Sequence, residues 1–255
     1  MDLLTAIILA VVEGVTEFLP VSSTGHTILA AVILGVVQTD FVKSFELFLE
    51  FGSILAVVVS YWRYFLDLNV LKRLGVAFIP TGIIGLTLYR VFKEILLGNE
   101  QIVLWALLLG GVFLIVFELF YREKAGTTEI SKIPYKHCLL IGLFQSISII
   151  PGASRSAPTI MGGLALGMRR QTIVLFSFLL AVPTMIAASG FDLIMSANQF
   201  STDQFQILFV GFFASFLVAL GAIKIFLNYV KKHNFIPFGV YRIILVVLFY
   251  FLVIL

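Results

Sequence analysis

The chain of 255 residues has one cysteine, Cys138. An intrachain disulfide and a cysteine-based metal centre are therefore excluded. Charge is nearly as scarce: Asp, Glu, Lys and Arg make up 12% of the residues, and the net charge is only +3. No nucleic-acid partner is expected of such a chain. Polar stretches are short as well. The longest, residues 122–136, has the size of a loop, so no soluble domain is visible. Met1-Asp2 supplies no basic leader, and no small-residue cleavage site follows the first apolar run. That run is expected to stay in the mature protein.

What remains is apolar. Hydrophobic residues make up 60% of the chain, with 26 Phe, and the mean hydropathy is +1.10. A polytopic membrane protein has use for such a surface, because lipid replaces water on its outside. Six stretches can cross a hydrocarbon core of about 30 Å at a rise of about 1.5 Å per residue: residues 41–63, 73–91, 101–121, 171–196, 205–230 and 236–255. Trp62 and Trp105 suit interfacial anchors.

Two further apolar regions are interrupted. Residues 3–37 are broken by Pro20, Ser22, Ser23 and Gly25, and residues 137–168 by "IIPGASRSAPT". Each half is roughly 12–17 residues, short or marginal for a crossing. A helix–break–helix of this kind predicts a re-entrant hairpin, tolerated where protein or a water-filled cavity covers it. The two breaks resemble each other: "VEGVTEFLPVSST" opens with an acid, "FQSISIIPGASRS" with Gln, and both end in Pro and hydroxyls. The expected fold is thus an all-α polytopic membrane protein of two inverted repeats, each a re-entrant hairpin plus three transmembrane helices. It forms one integral membrane domain over residues 1–255, with repeat one at about 1–121, a loop at 122–136 and repeat two at 137–255. Inverted repeats with broken helices place a site near the midplane, where the breaks meet.

Charge orients this arrangement. Arg63, Lys72, Arg73, Arg122, Lys124, Lys132, Lys136, Arg169, Arg170, Lys231 and Lys232 fall on the side away from the N-terminus, against Lys43, Arg90 and Lys93 on its own side. The positive-inside rule makes the richer side cytoplasmic and puts both termini outside. Arg155, Lys224 and Arg242 fall within apolar segments.

The first break carries "EGVTEFLPVSSTGH", residues 13–26. Glu13 and Glu17 stand four apart and share one helix face. Two carboxylates in a membrane repel unless a cation or a proton lies between them. Mg²⁺ and Ca²⁺ take oxygen ligands; alternatively the pair works as acid and base, or merely packs two helices. Ser22, Ser23 and Thr24 suit the start of a half-helix, whose free N–H groups favour an anion. His26, three residues after Ser23, makes a nucleophile–base pair conceivable; helix capping is the plainer role for hydroxyls. The second break supplies Arg155, whose planar fork matches a phosphate. Ser154, Ser156 and Thr159 can donate to phosphate oxygens, and Gly152 permits a close backbone approach. A plain Arg–Glu tie between the halves is the competing role. Together the breaks hold the parts for phosphoryl transfer, and a substrate arriving through lipid is a lipid phosphate or diphosphate.

These two motifs resemble the signature regions of the bacterial undecaprenyl-diphosphate phosphatases, also called bacitracin-resistance proteins, and the resemblance covers essentially the whole chain. It implies hydrolysis of undecaprenyl diphosphate to undecaprenyl phosphate and inorganic phosphate in the bacterial inner membrane. It also implies a divalent cation, Mg²⁺ or Ca²⁺, held by Glu13 and Glu17. The family's motif serines fall on Ser22 and Ser23, its histidine on His26, and its second-motif Ser, Arg and Thr on Ser154, Arg155 and Thr159. Ala157-Pro158 departs from the pattern; Pro158 either removes a phosphate-facing N–H or sits in the first turn of the half-helix.

Glu46 and Glu50 form a second acidic pair, an outer shell of the cavity or an edge in water. Glu118 and Asp192 read as helix-packing or cavity-edge residues, and His137 and His233 as solvated. A lipid flippase is the main alternative, since broken inverted repeats are also a transport architecture. An intramembrane protease fits the acids but not the Arg. A homodimer remains open.

Overall fold

The computed structural model describes residues 1–88, 100–122, 126–196 and 202–251. Arg90, Lys93 and Lys124 lie outside the described residues, as do the ends of the second and sixth expected spans and the side chain of Asp192.

Among the described residues, ten α-helices follow in order: α1 (Leu3–Thr16), α2 (Ser23–Ile33), α3 (Asp40–Tyr61), α4 (Leu68–Thr87), α5 (Glu100–Phe120), α6 (Tyr135–Gln145), α7 (Ser156–Ala165), α8 (Arg170–Ser196), α9 (Thr202–Tyr229) and α10 (Ile236–Phe249). The described residues contain no strand beyond an isolated bridge between Thr127 and Met168. Residues 122–136 are less plainly a loop than expected, since Ile130–Lys132 forms a 3-10 turn.

Among the described residues, four helices are long and apolar enough to cross a membrane: α4, α5, α8 and α9. Of the six spans expected, the other two fall on α3 and α10. Helix α3 has the length, at 22 residues, but Asp40, Lys43, Glu46 and Glu50 dilute its apolar character. Helix α10 is described over 14 residues. The interrupted regions behave as their polar middles demand. Helices α1, α2, α6 and α7 run for 14, 11, 11 and 10 residues, and none reaches the roughly 20 residues of a crossing. The first break occupies 17–22. The second spans 146–155, so Thr159 lies inside α7 rather than in the break. Pro158 is the third residue of α7, where it forfeits no helical hydrogen bond.

Packing exchanges the two halves. Helix α1 packs on α9 as α6 packs on α4; α3 packs on α9 as α8 packs on α4; α3 meets α8 and α5 meets α10. Small residues allow the closest approaches. A Cβ on Gly14 of α1 would lie 2.7 Å from the Ser215 carbonyl oxygen of α9, and one on Gly142 of α6 would strike the Ala77 carbonyl of α4. This match sets Glu17, three residues after Gly14, opposite Gln145, three after Gly142. The register differs from the sequence reading, which aligned the openings of the two motifs.

Charges outside the breaks are tied down. Glu118 and Arg170, both buried, form an ion pair, and a Glu118 oxygen also accepts from the Phe235 N–H at 3.1 Å. Arg170 is therefore a packed cation, not a loop charge, while Glu118 has the packing role expected of it. His233 is exposed, but His137 is only half so and its Nδ1 is buried, unlike the solvated ring expected. Trp62, just after α3, and Trp105, in the second turn of α5, are both exposed.

Candidate functional site where the two breaks meet

A serine in the left-handed region stands ahead of each half-helix: Ser22, the cap of α2, at φ 71°, and Ser154, one residue before the Arg155 cap of α7, at φ 75°. Each hydroxyl accepts a bond from a backbone N–H three residues on, Gly25 N at 3.3 Å and Ala157 N at 3.3 Å. The side chain thus satisfies a helix-start donor while the twisted backbone turns the chain into the helix. These equivalent bonds put Ser23 and Arg155 at the same place in the two halves. Non-glycine residues with positive φ cluster at functional sites, where the surrounding structure holds the strain.

The breaks touch through these residues. Glu17, with 4% of its side chain exposed, is the hub. Its Oε1 accepts from Arg155 Nη2 at 2.8 Å, and its Oε2 accepts from Ser23 Oγ. Arg155 also donates Nη1 to the Ser177 carbonyl of α8 at 2.9 Å, and Ser156 Oγ donates to the Leu19 carbonyl at 3.1 Å. Phe18 lies under the guanidinium, 5.9 Å from its ring centre. Glu13, one turn before Glu17, is 2% exposed, and its Oε1 has no hydrogen-bond partner.

His26 does not bond Ser23. Its Nδ1 lies 2.7 Å from the Ser22 carbonyl and its Nε2 lies 2.8 Å from Tyr241 Oη. A carbonyl only accepts, so in the neutral ring Nδ1 carries the hydrogen and Nε2 accepts from tyrosine. The spacing placed His26 near Ser23; a residue 215 positions away took its free nitrogen. Thr24 is exposed, unlike its buried neighbours Ser22 and Ser23. Thr159 is buried and donates to the Arg155 carbonyl one turn back at 2.8 Å, with Gln145 Oε1 at 3.5 Å, so its hydroxyl is spent within the break. Gly152, at φ +90°, allows close approach to helix α5 as well as the turn: a Cβ there would lie 2.6 Å from the Val103 carbonyl. Glu50 accepts from Ser189 Oγ at 2.6 Å, and Glu46 meets Gln38 at 3.4 Å near the start of α3.

The sequence reading passed over Tyr241, Ser177 and Ser189, and placed Arg242 in an apolar segment without giving it a role. Arg242 carried the one available signal, an uncompensated charge in an apolar run. A concavity of about 550 Å³, lined by Asp2, Thr5, Val37 and Phe41 among others, opens at the ends of α1, α2 and α3, away from Glu17.

The arrangement presents a hydroxyl bonded to a carboxylate, with a guanidinium on the same carboxylate. That is a set for attack on a phosphorus atom and for holding phosphate charge. A family profile described as "Bacitracin resistance protein BacA" matches residues 6–248. The chain is 49% identical over 251 residues to a protein named undecaprenyl-diphosphatase from Sulfurihydrogenibium sp., covering 98% of this chain and 99% of that one. It is 48% identical to the one from Aquifex aeolicus, over 94% of each chain, and 46% identical to the one from Wolinella succinogenes, over 98% of each. The chain belongs to the bacitracin resistance protein BacA family.

Proposed function

We propose that this membrane protein hydrolyses undecaprenyl diphosphate to undecaprenyl phosphate and inorganic phosphate, renewing the lipid carrier for wall polymers. The names of its relatives support the substrate. The observation that carries the chemistry is the bonding of Glu17 to both Ser23 and Arg155 across the two breaks.

The pair Glu17–Arg155 is the resting arrangement. An incoming diphosphate competes for the guanidinium, whose fork suits two phosphate oxygens, and leaves Glu17 free to serve Ser23. Ser23 Oγ then attacks the terminal phosphorus while Glu17 Oε2 takes the hydroxyl proton. The bond from that phosphorus to the bridging oxygen breaks, and undecaprenyl phosphate leaves. Water cleaves the seryl phosphate, its hydroxyl going to phosphorus and its other hydrogen to Ser23 Oγ; the proton held by Glu17 leaves with the phosphate products, so the carboxylate is restored. His26, bonded elsewhere, orients the start of α2.

A divalent cation fits the donors. Glu13 Oε1 is a buried oxygen without a hydrogen-bond partner, the kind of donor hard cations take. Glu13 and Glu17 would hold it. Among the described residues no third His, Cys, Asp or Glu gathers with them, so water and the diphosphate would complete the shell. Such an ion supplies charge neutralisation and polarises a phosphoryl oxygen.

The half-for-half packing and the matched serine bonds support two inverted repeats; the excess of Lys and Arg on one side supports a bacterial inner-membrane orientation with both termini outside and the site open to the outer face. Phosphate release from undecaprenyl diphosphate by the purified protein, with and without Mg²⁺ or Ca²⁺, tests the reading. Metal-dependent turnover is expected, lost in Glu17→Gln and Arg155→Ala. Ser23→Ala should lower it by about 10³-fold or more; full retention would leave direct attack by water. Substrate binding without phosphate release would overturn the phosphatase and put a flippase in its place.

A further inference from the structure

Arg242 is fully buried on α10. A guanidinium in that position normally has a carboxylate partner. None of the hydrogen bonds or ion pairs of this residue involves one: its Nη2 donates to two backbone carbonyls, Gly152 at 2.7 Å and Ala153 at 3.0 Å, and its Nε and Nη1 are unpartnered. Those carbonyls belong to the turn just before Ser154 and Arg155. The twisted backbone at Gly152 and Ser154 takes them out of any helix. At membrane depth such carbonyls need a donor from elsewhere in the protein.

The neighbouring residue does the matching task for the first break. Tyr241 meets His26 Nε2 at 2.8 Å, and His26 in turn holds the Ser22 carbonyl. Successive residues on a helix point about 100° apart, so one turn of α10 reaches both breaks. Its approach to α5 depends on glycine: Gly239 and Gly111 bring the two backbones together, and Gly110 leaves room for the guanidinium, because a Cβ there would overlap Arg242 Nη1.

We infer that Tyr241 and Arg242 are the positioning residues of the site: Arg242 fixes the turn that presents Arg155, and Tyr241 fixes the cap that presents Ser23. This rests on the phosphatase reading above. Arg242 touches neither Glu17 nor Ser23, so it acts through Arg155, and misplacing a charge-stabilising group by about 1 Å can lower a rate about 100-fold.

Steady-state phosphate release from undecaprenyl diphosphate by the full-length protein in detergent tests this. Arg242→Met should lower kcat about 100-fold and leave KM within about threefold, at unchanged folded fraction by size exclusion. Arg242→Lys, which can still donate to both carbonyls, should recover to within about tenfold of wild type. Gly110→Ala leaves the charge in place but forces the guanidinium to shift, since the new Cβ would overlap Arg242 Nη1; it should lower kcat about tenfold with KM held, and it decides the matter if Arg242→Met fails to fold. Tyr241→Phe should lower kcat, again without raising KM. Wild-type kcat in Arg242→Met, or in Gly110→Ala where Met fails to fold, overturns the inference. So does a raised KM with kcat held, the mark of a guanidinium on the substrate itself. Absence of turnover in the wild type would instead overturn the phosphatase reading.

Discussion

Neutralising Glu17 and Arg155 separately and together distinguishes a working pair from a tie between the halves. Arg155→Met leaves the Glu17 carboxylate, 4% exposed, without its cation. Breaking one side of a buried ion pair costs about 3–5 kcal/mol, to which the lost bond to the Ser177 carbonyl adds about 1 kcal/mol. Glu17→Gln strands a guanidinium 12% exposed and should cost a similar amount. The double variant Glu17→Gln/Arg155→Met strands no charge. Its cost falls to about 1–2 kcal/mol, for the Ser177 carbonyl and the weakened bond to Ser23. The double variant should therefore be more stable than either single one. Equilibrium unfolding in mixed micelles measures this. Phosphate release per folded molecule, from the same preparations, should be down at least about 100-fold in all three. A double variant as unstable as the sum of the singles would refute the direct pair. Recovery of turnover with stability would reduce Glu17 and Arg155 to a tie.

Other consequences are open to measurement. Glu118→Ala removes the buried ion pair with Arg170 and the acceptor of the Phe235 N–H; stability should drop by about 3 kcal/mol, while turnover per folded molecule stays at the wild-type level. Gly14→Val forces side-chain carbons into the Ser215 carbonyl and Val218, so α1 must move from α9, and the folded yield in detergent should fall together with activity. Cys138 is fully buried, so the folded protein should not react with a maleimide in detergent, and labelling should rise only with unfolding.

The breaks were legible because their causes are local. Pro20, Gly25 and the hydroxyls interrupt an apolar run that would otherwise form one long helix, and Pro151 with Gly152 does the same in the second half. Carboxylates and an Arg in such surroundings are costly enough to mark a site by themselves. The span count was less secure, since α3 keeps its length despite four charged residues. Thr24 and Thr159 shared the composition of the motif but not its direction: helix geometry turns one outward and folds the other back on the Arg155 carbonyl.

Which segments are helical, where they break and which residue types lie at each break could be read from the chain, because these follow from periodicity, proline and the solvation of charge within a few residues. The partners came from long-range packing. Glu17 rather than His26 takes the Ser23 hydroxyl; Tyr241 takes His26; Arg242, with no partner near it in the chain, holds the carbonyls ahead of Arg155. Each choice joins residues far apart in the chain, where buried polar groups must find donors or acceptors and only the packing of α10 against α5 determines which are in reach.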